Sequence, residues 1–159
     1  MTFTVRPAAE SDADGVVSLL CYIADFHHQG RPDIFRSGFS KYNTEEYLDL
    51  LKREDVYIFV ADGDGEVLGY AIAFYNDFSG DRAKFPSKYL YLDDLCVSDR
   101  CRQGGIGKAL MNRVEEQAKA LGCDKIELNV WNFKGNALQF YEKCGYDSVY
   151  TKMEKKIVL

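Results

Sequence analysis

The sequence predicts a single α/β (α+β) domain with a mixed, mostly antiparallel sheet of about six to seven strands and about four helices. Three observations carry this. Hydrophobic periods of two and of 3.6 residues follow one another in the order β-α-α-β-β-β-α-β-α-β. An apolar strand, a tight turn and a second strand occupy residues 56–75 without interruption. No linker, internal repeat or low-complexity tract divides residues 1–159, and a chain of 159 residues suits one domain that buries about 70% of its unfolded surface.

Each element has its own signal. Phe3-Thr4-Val5-Arg6 alternates apolar and polar residues until Pro7 ends it. Ser11-Asp12-Ala13-Asp14 places a cap and two acids at a helix start. Val16, Val17, Leu19, Leu20 and Ile23 follow at helical spacing, and the helix should fade near His27, ahead of Gly30 and Pro32. Residues 27–42 are polar yet hold Ile34, Phe35, Phe39 and Tyr42, so the stretch reads as a loop that covers a site or one pinned to the core. Asn43 and Glu46 have capping-box spacing for a helix to about Lys52. Val56–Ala61, the turn Asp62-Gly63-Asp64-Gly65, and Val67–Tyr75 form a hairpin. A polar loop over 76–87 leads to a strand over 88–97. A helix with Leu110, Val114, Ala118 and Leu121 on one face then stops at Gly122. Residues 125–130 read as strand, 136–144 as helix, and 149–159 as a last strand or strand pair.

Composition removes several functional classes. A net charge of −5 and a pI near 5.1 argue against general affinity for nucleic acid. No run of about 18 apolar residues exists to cross a membrane, and residues 1–14 lack the apolar run expected of a signal peptide. Five scattered cysteines without a C-x-x-C pair, and only two histidines, predict reduced thiols, no metal site and a cytoplasmic protein.

The stretch Arg102-Gln103-Gly104-Gly105-Ile106-Gly107-Lys108 crowds three glycines and two cations ahead of an amphipathic helix. Backbone N–H groups at such a helix start can hold a phosphate, and the same glycines would also serve an empty tight turn. The dinucleotide fingerprint does not fit, because the stretch comes late and follows an antiparallel hairpin. A P-loop needs Gly-Lys-Ser/Thr, which is absent.

Arg102-x-x-Gly105-x-Gly107 resembles the acetyl-CoA pyrophosphate loop of the GNAT N-acetyltransferase superfamily. Asn136-Ala137-Leu138-Gln139-Phe140-Tyr141, running on to Gly145-Tyr146, is similar to that family's second helix block. The element order agrees over nearly the whole chain, though residues 1–55 match only in pattern. The resemblance implies acetyl-CoA as donor, with its pyrophosphate on the backbone from Gln103 to Lys108, and Arg102 and Lys108 adding charge. It further implies that pantetheine pairs with Leu95, Cys96 and Val97, an N–H near Val97 polarising the thioester. Asn132 and Asn136 would contact the cofactor from the other side, although Asn136 is equally placed to be a helix N-cap.

Amine acetylation needs a base for the amine and an acid for the departing thiolate. Tyr141 matches the family's general acid. The block Tyr91-Leu92-Asp93-Asp94-Leu95-Cys96-Val97 is similar to the acidic strand of spermidine/spermine N-acetyltransferases. That makes Asp93 the first choice as base, with or without a bridging water, and Asp94 its structural or orienting partner. Alternation along a strand would let only one of them face the acceptor. His27 and His28 lie where acceptors enter in this superfamily. No histidine is fixed beside Cys96 or Cys101, so direct transfer is expected over an acetyl-cysteine step.

The expected activity is acetyl transfer from acetyl-CoA to a primary amine, either a small amine such as a polyamine or a protein N-terminus or lysine. The alternative is an idle acyl-CoA-binding or sensing domain of the same fold. Loops 27–42 and 76–88 should shape the acceptor pocket, and Ile157-Val158-Leu159 could pair across a homodimer or finish the sheet.

Overall fold

The computed structural model describes residues 2–133 and 135–159. One five-stranded sheet runs in sequence order: β1 (Thr4–Pro7), β2 (Val56–Gly63), β3 (Glu66–Phe78), β4 (Ser87–Val97) and β5 (Lys125–Leu128). The first four are antiparallel neighbours, and β5 pairs with β4 in parallel. Helices α1 (Ala13–Gly30) and α2 (Thr44–Leu51) cover one face. Val16, Leu20, Tyr47 and Leu50 pack there on Ile58, Val60, Tyr70 and Ile72. Helix α3 (Ile106–Ala120) covers the other, where Ile106, Leu110 and Val114 meet Phe59, Ala71, Ala73, Leu90 and Leu92. Helix α4 (Ala137–Lys143) adds Phe140 and Tyr141 to that second cluster.

Local chemistry accounts for most boundaries. Helix α1 outruns the expected end by one turn and stops at Gly30, because Pro32 bars Arg31 from helical angles and leaves it at φ −141°. Helix α2 starts on the expected capping box: Asn43 accepts from the Glu46 amide at 2.8 Å, and Glu46 accepts from the Asn43 amide at 2.9 Å. The hairpin of β2 and β3 forms as read.

The C-terminus departs from expectation. Residues 147–159 form no strand, and Val149, Met153, Ile157 and Val158 are exposed. Their β-forming composition expresses a fit to a pleated, half-buried surface, and this segment meets none. Ion pairs hold it instead against the end of α1, from Arg31 to Glu154 at 2.5 Å and from Lys156 to Asp33 at 3.1 Å. The sheet accordingly has five strands where six to seven were expected.

Arg6 on β1 ties the sheet to α1. It donates to both oxygens of buried Asp12, at 2.8 and 2.9 Å, and to Asp62 at 2.9 Å. The Arg6 hydrogen bonds hold the Asp12 carboxyl below its usual 3.8. Its stabilisation is therefore full above that value and is lost as pH falls through the lower folded-state value. Asp12→Asn should cost about 2 kcal/mol near neutral pH. Thermal melts at pH 7 and pH 3 should show the gap to wild type closing in acid.

Candidate active site

The site grows from an irregularity in β4. Its register with β3 runs Ala73 to Leu92 and then Ile72 to Asp94, leaving Asp93 as an extra residue. This bulge breaks the alternation of side chains. Leu90 and Leu92 face α3, and so do Leu95 and Val97, while the two acids between them face the α1/α2 side. Asp94 sits opposite Ile72 and accepts from the Tyr70 hydroxyl at 3.0 Å. Asp93 accepts from the Tyr42 hydroxyl at 2.7 Å and pairs with Lys41 at 3.0 Å. The expectation that one acid turns away is thus corrected, because the bulge brings both carboxylates to one face.

Burial, with a smaller push from the Asp93 charge, raises Asp94 to about 6, while Lys41 and the Tyr70 hydroxyl oppose the rise. A carboxylate near 6 stays ionised at neutral pH and still accepts a proton readily. Tyr141, on α4, lies close enough for the Asp94 charge to act on it. Burial first, then Asp94, raises its phenol above the ordinary value, so it remains a proton carrier. Burial and Asp94 also push the Cys96 thiol up to about 12, which leaves it a protonated core residue rather than a nucleophile.

Beside the acids the sheet opens. Strand β5 pairs with β4 only from Tyr89–Leu92 against Lys125–Leu128. From Asp93 to Val97 the outer edge of β4 has no strand neighbour among the described residues, which places Leu95, Cys96 and Val97 along a free backbone edge. The glycine segment follows directly. Gln103 and Gly105 adopt left-handed φ values of 65° and 80°, and Gly105 is the N-cap of α3 with no side chain capping the helix. The first intrahelical bond there runs from the Ala109 amide to the Gly105 carbonyl, so the amides of Ile106, Gly107 and Lys108 have no helical acceptor. That contrasts with the capped start of α2. Uncapped amides at a positive dipole end form an anion cradle. Gly107 answers to packing instead, since a Cβ there would lie 3.1 Å from the Phe140 ring.

The remaining residues fall as follows. Arg102 turns from the cradle to α1, donating to the Tyr22 hydroxyl at 2.7 Å. Lys108 is exposed and lines a cleft of about 300 Å³ between α3 and the end of α4, with Asn112, Lys143 and Tyr146. Asn136 is the N-cap residue of α4 but its side chain makes no capping bond, and Asn132 is exposed. His28 binds the Phe35 carbonyl at 2.6 Å. His27 stacks on Phe35 at 5.0 Å, and burial lowers its pKa. Both histidines therefore secure the loop after α1. That loop is pinned by its aromatics, with Phe35 edge-on to Trp131 at 5.0 Å, and it also reaches the site through Lys41 and Tyr42. The loop before β4 closes on Asp81 at the opposite end of that strand from the cradle. Sequence reading missed Lys41, Tyr42 and Tyr70 as partners of the acids, and their β-strand and loop positions carry no local signal of it. No cluster of potential metal ligands occurs among the described residues, nor any helix long and apolar enough to cross a membrane.

A family model described as acetyltransferase (GNAT) matches residues 24–146. The chain is similar to an uncharacterized N-acetyltransferase of Methanocaldococcus jannaschii, with 26% identity over 164 residues. That match covers 99% of this chain and 63% of the relative, so the chain spans less than two thirds of that protein's length. The fold superposes on a crystal structure of a mutant protein from Bacillus halodurans with a TM-score of 0.93 and 27% identity, over 98% of this chain and 99% of the other. Glucosamine-6-phosphate N-acetyltransferase from Arabidopsis thaliana shares the fold alone, with a TM-score of 0.73 at 20% identity over 99% of this chain and all of that one.

Proposed function

Because the chain belongs to the acetyltransferase (GNAT) family, we propose that it moves an acetyl group from acetyl-CoA directly to a primary amine. The observation that carries this reading is the placement of Asp93 and Asp94 on one face of β4, beside an open strand edge and an uncapped helix start. An idle binding domain would have no use for a buried carboxylate raised to about 6.

The geometry supports the following division of roles. Amides of residues 103–108 hold the donor's pyrophosphate, and Lys108 and the cleft beside it add charge and room for the rest of the nucleotide. Leu95, Cys96 and Val97 offer backbone to the pantetheine arm as a strand partner would. Asn132 and Asn136 contact the cofactor from the other side in this reading. Asp93 anchors the acceptor's ammonium, which must displace Lys41 to reach it. The carboxylate pair removes the amine's proton, with Asp94 as the member whose affinity for protons suits the task. Tyr141 returns a proton to the leaving thiolate. Two acids at the acceptor position favour a cationic amine, small or on a peptide.

The test is free-thiol release from acetyl-CoA with a panel of polyamines, aminosugars and peptides bearing free N-termini or lysines. At least one amine should be turned over by wild type, and Asp93→Asn should raise the KM for it by about tenfold or more through loss of the ammonium anchor. Tight binding of CoA without turnover of any amine would instead mark an acyl-CoA-binding domain.

A further inference from the structure

The loop between α1 and α2 places a primary amine on the candidate catalytic carboxylate. Lys41 Nζ lies 3.0 Å from Asp93 Oδ1 and donates to the Asp93 carbonyl, at the bulge itself, at 2.9 Å. The second carboxylate oxygen is taken by Tyr42. An ordinary surface ion pair contributes about 0–1 kcal/mol and needs no particular backbone. This one is different in kind, since Asp93 is only 13% exposed and the amine contacts both its side chain and its main chain.

The loop is also held in place. Upstream, Phe35 is fixed by His28, stacked on His27 and set edge-on to Trp131. Downstream, Asn43 begins the capped helix α2, and Ser40 donates to the Tyr42 carbonyl at 2.7 Å to shape the turn between. Lys41 therefore hangs between two anchors with its amine where an acceptor amine must sit. An amine held in this way reacts as though present at very high local concentration.

We propose that Lys41 is itself an acceptor, and that the chain acetylates its own Lys41 Nζ in an intramolecular reaction. The proposal rests on the acetyltransferase reading above. The Lys41 ammonium first loses a proton through the carboxylate pair to solvent. Its nitrogen then forms a bond to the acetyl carbonyl carbon as the carbon–sulfur bond breaks. The departing thiolate takes its proton from Tyr141; the nitrogen gives up one of its two remaining protons, which restores the Tyr141 phenol by way of solvent, and the amide keeps the other. The products are Nε-acetyl-Lys41 and free CoA, with no oxidant or further co-reactant. The acetylated side chain carries no charge, so its pair with Asp93 is broken and the acceptor position is freed for an external amine.

The experiment incubates purified protein with acetyl-CoA carrying a deuterated acetyl group, followed by intact-mass and peptide mass spectrometry over time. The expected result is deuterated label concentrated on Lys41, at a fractional rate that does not change with protein concentration. Asp93→Asn and Tyr141→Phe should each slow it by about tenfold or more, with circular dichroism showing both folded. Lys41→Arg should show no label at position 41 and, because its guanidinium stays charged and keeps its place on Asp93, should release CoA with an external amine more slowly than wild type. Label spread over exposed lysines, or label on Lys41 unaffected by either variant, would mean uncatalysed chemistry and overturn the proposal. A rate proportional to protein concentration would overturn it as well, by making the reaction intermolecular. If an external amine is turned over while Lys41 stays unlabelled, this proposal fails and the acetyltransferase reading stands. If neither thiol release nor label is seen, both fall together.

Discussion

Tyr141→Phe should lower kcat for acetyl transfer by about 100-fold or more while leaving the KM for acetyl-CoA within about twofold. The asymmetry comes from where the residue sits. The ring packs edge-on against Phe140 at 5.1 Å and Tyr146 at 5.9 Å, contacts that phenylalanine keeps. Only the hydroxyl is lost, and with it the proton that the proposed mechanism assigns to the leaving thiolate. Burial and the Asp94 charge keep that hydroxyl protonated across the working range, so wild-type kcat should show no falling limb from Tyr141 at moderately alkaline pH. The check is steady-state kinetics on the amine identified by the panel, with a CoA thermal shift to show that binding survives. An unchanged kcat, with product release shown to be fast, would remove Tyr141 from the chemistry.

Asp94→Asn should do two opposite things: abolish most activity and raise stability. In the folded protein the Asp94 carboxyl titrates at about 6, against an ordinary 3.8. Between those two values the folded state holds the proton more tightly than the unfolded state does. Stability from this group is therefore greatest in acid and declines as pH rises through the window, leaving a full penalty above pH 6. Asparagine carries no charge to bury and can still accept from Tyr70. The variant should gain on the order of 1–3 kcal/mol at pH 7.5, or several degrees of melting temperature, and the gain should shrink toward pH 4. Wild-type kcat/KM should rise with pH along an apparent pKa near 6, and the variant should lose that limb. A variant less stable than wild type at pH 7.5 would mean that the Asp94 charge is compensated in place, and the case for it as base would weaken.

The parts of the molecule readable in the sequence were those set by local chemistry. The Asn43 capping box, the Asp62–Gly65 hairpin turn and the glycines ahead of α3 each depend on residues close together in the chain. The bulge at Asp93 does not. It is a relation between β4 and β3, and a strand read alone predicts strict alternation. The placement of Lys41 and Tyr42 was equally hidden, because it requires a loop 50 or so residues upstream to fold over β4, a contact no local pattern encodes. The last strand failed for a related reason. Residues 149–159 have the composition of a strand, but a strand exists only with a partner, and the partner is not a property of the segment.

The open edge of β4 has a cost outside catalysis. An unpaired strand edge invites another chain to add to it, which is how many soluble proteins begin to aggregate. This edge cannot be closed by a neighbouring strand without shutting the site. It is defended instead by the bulge at Asp93, which spoils the regular ladder an added strand would need.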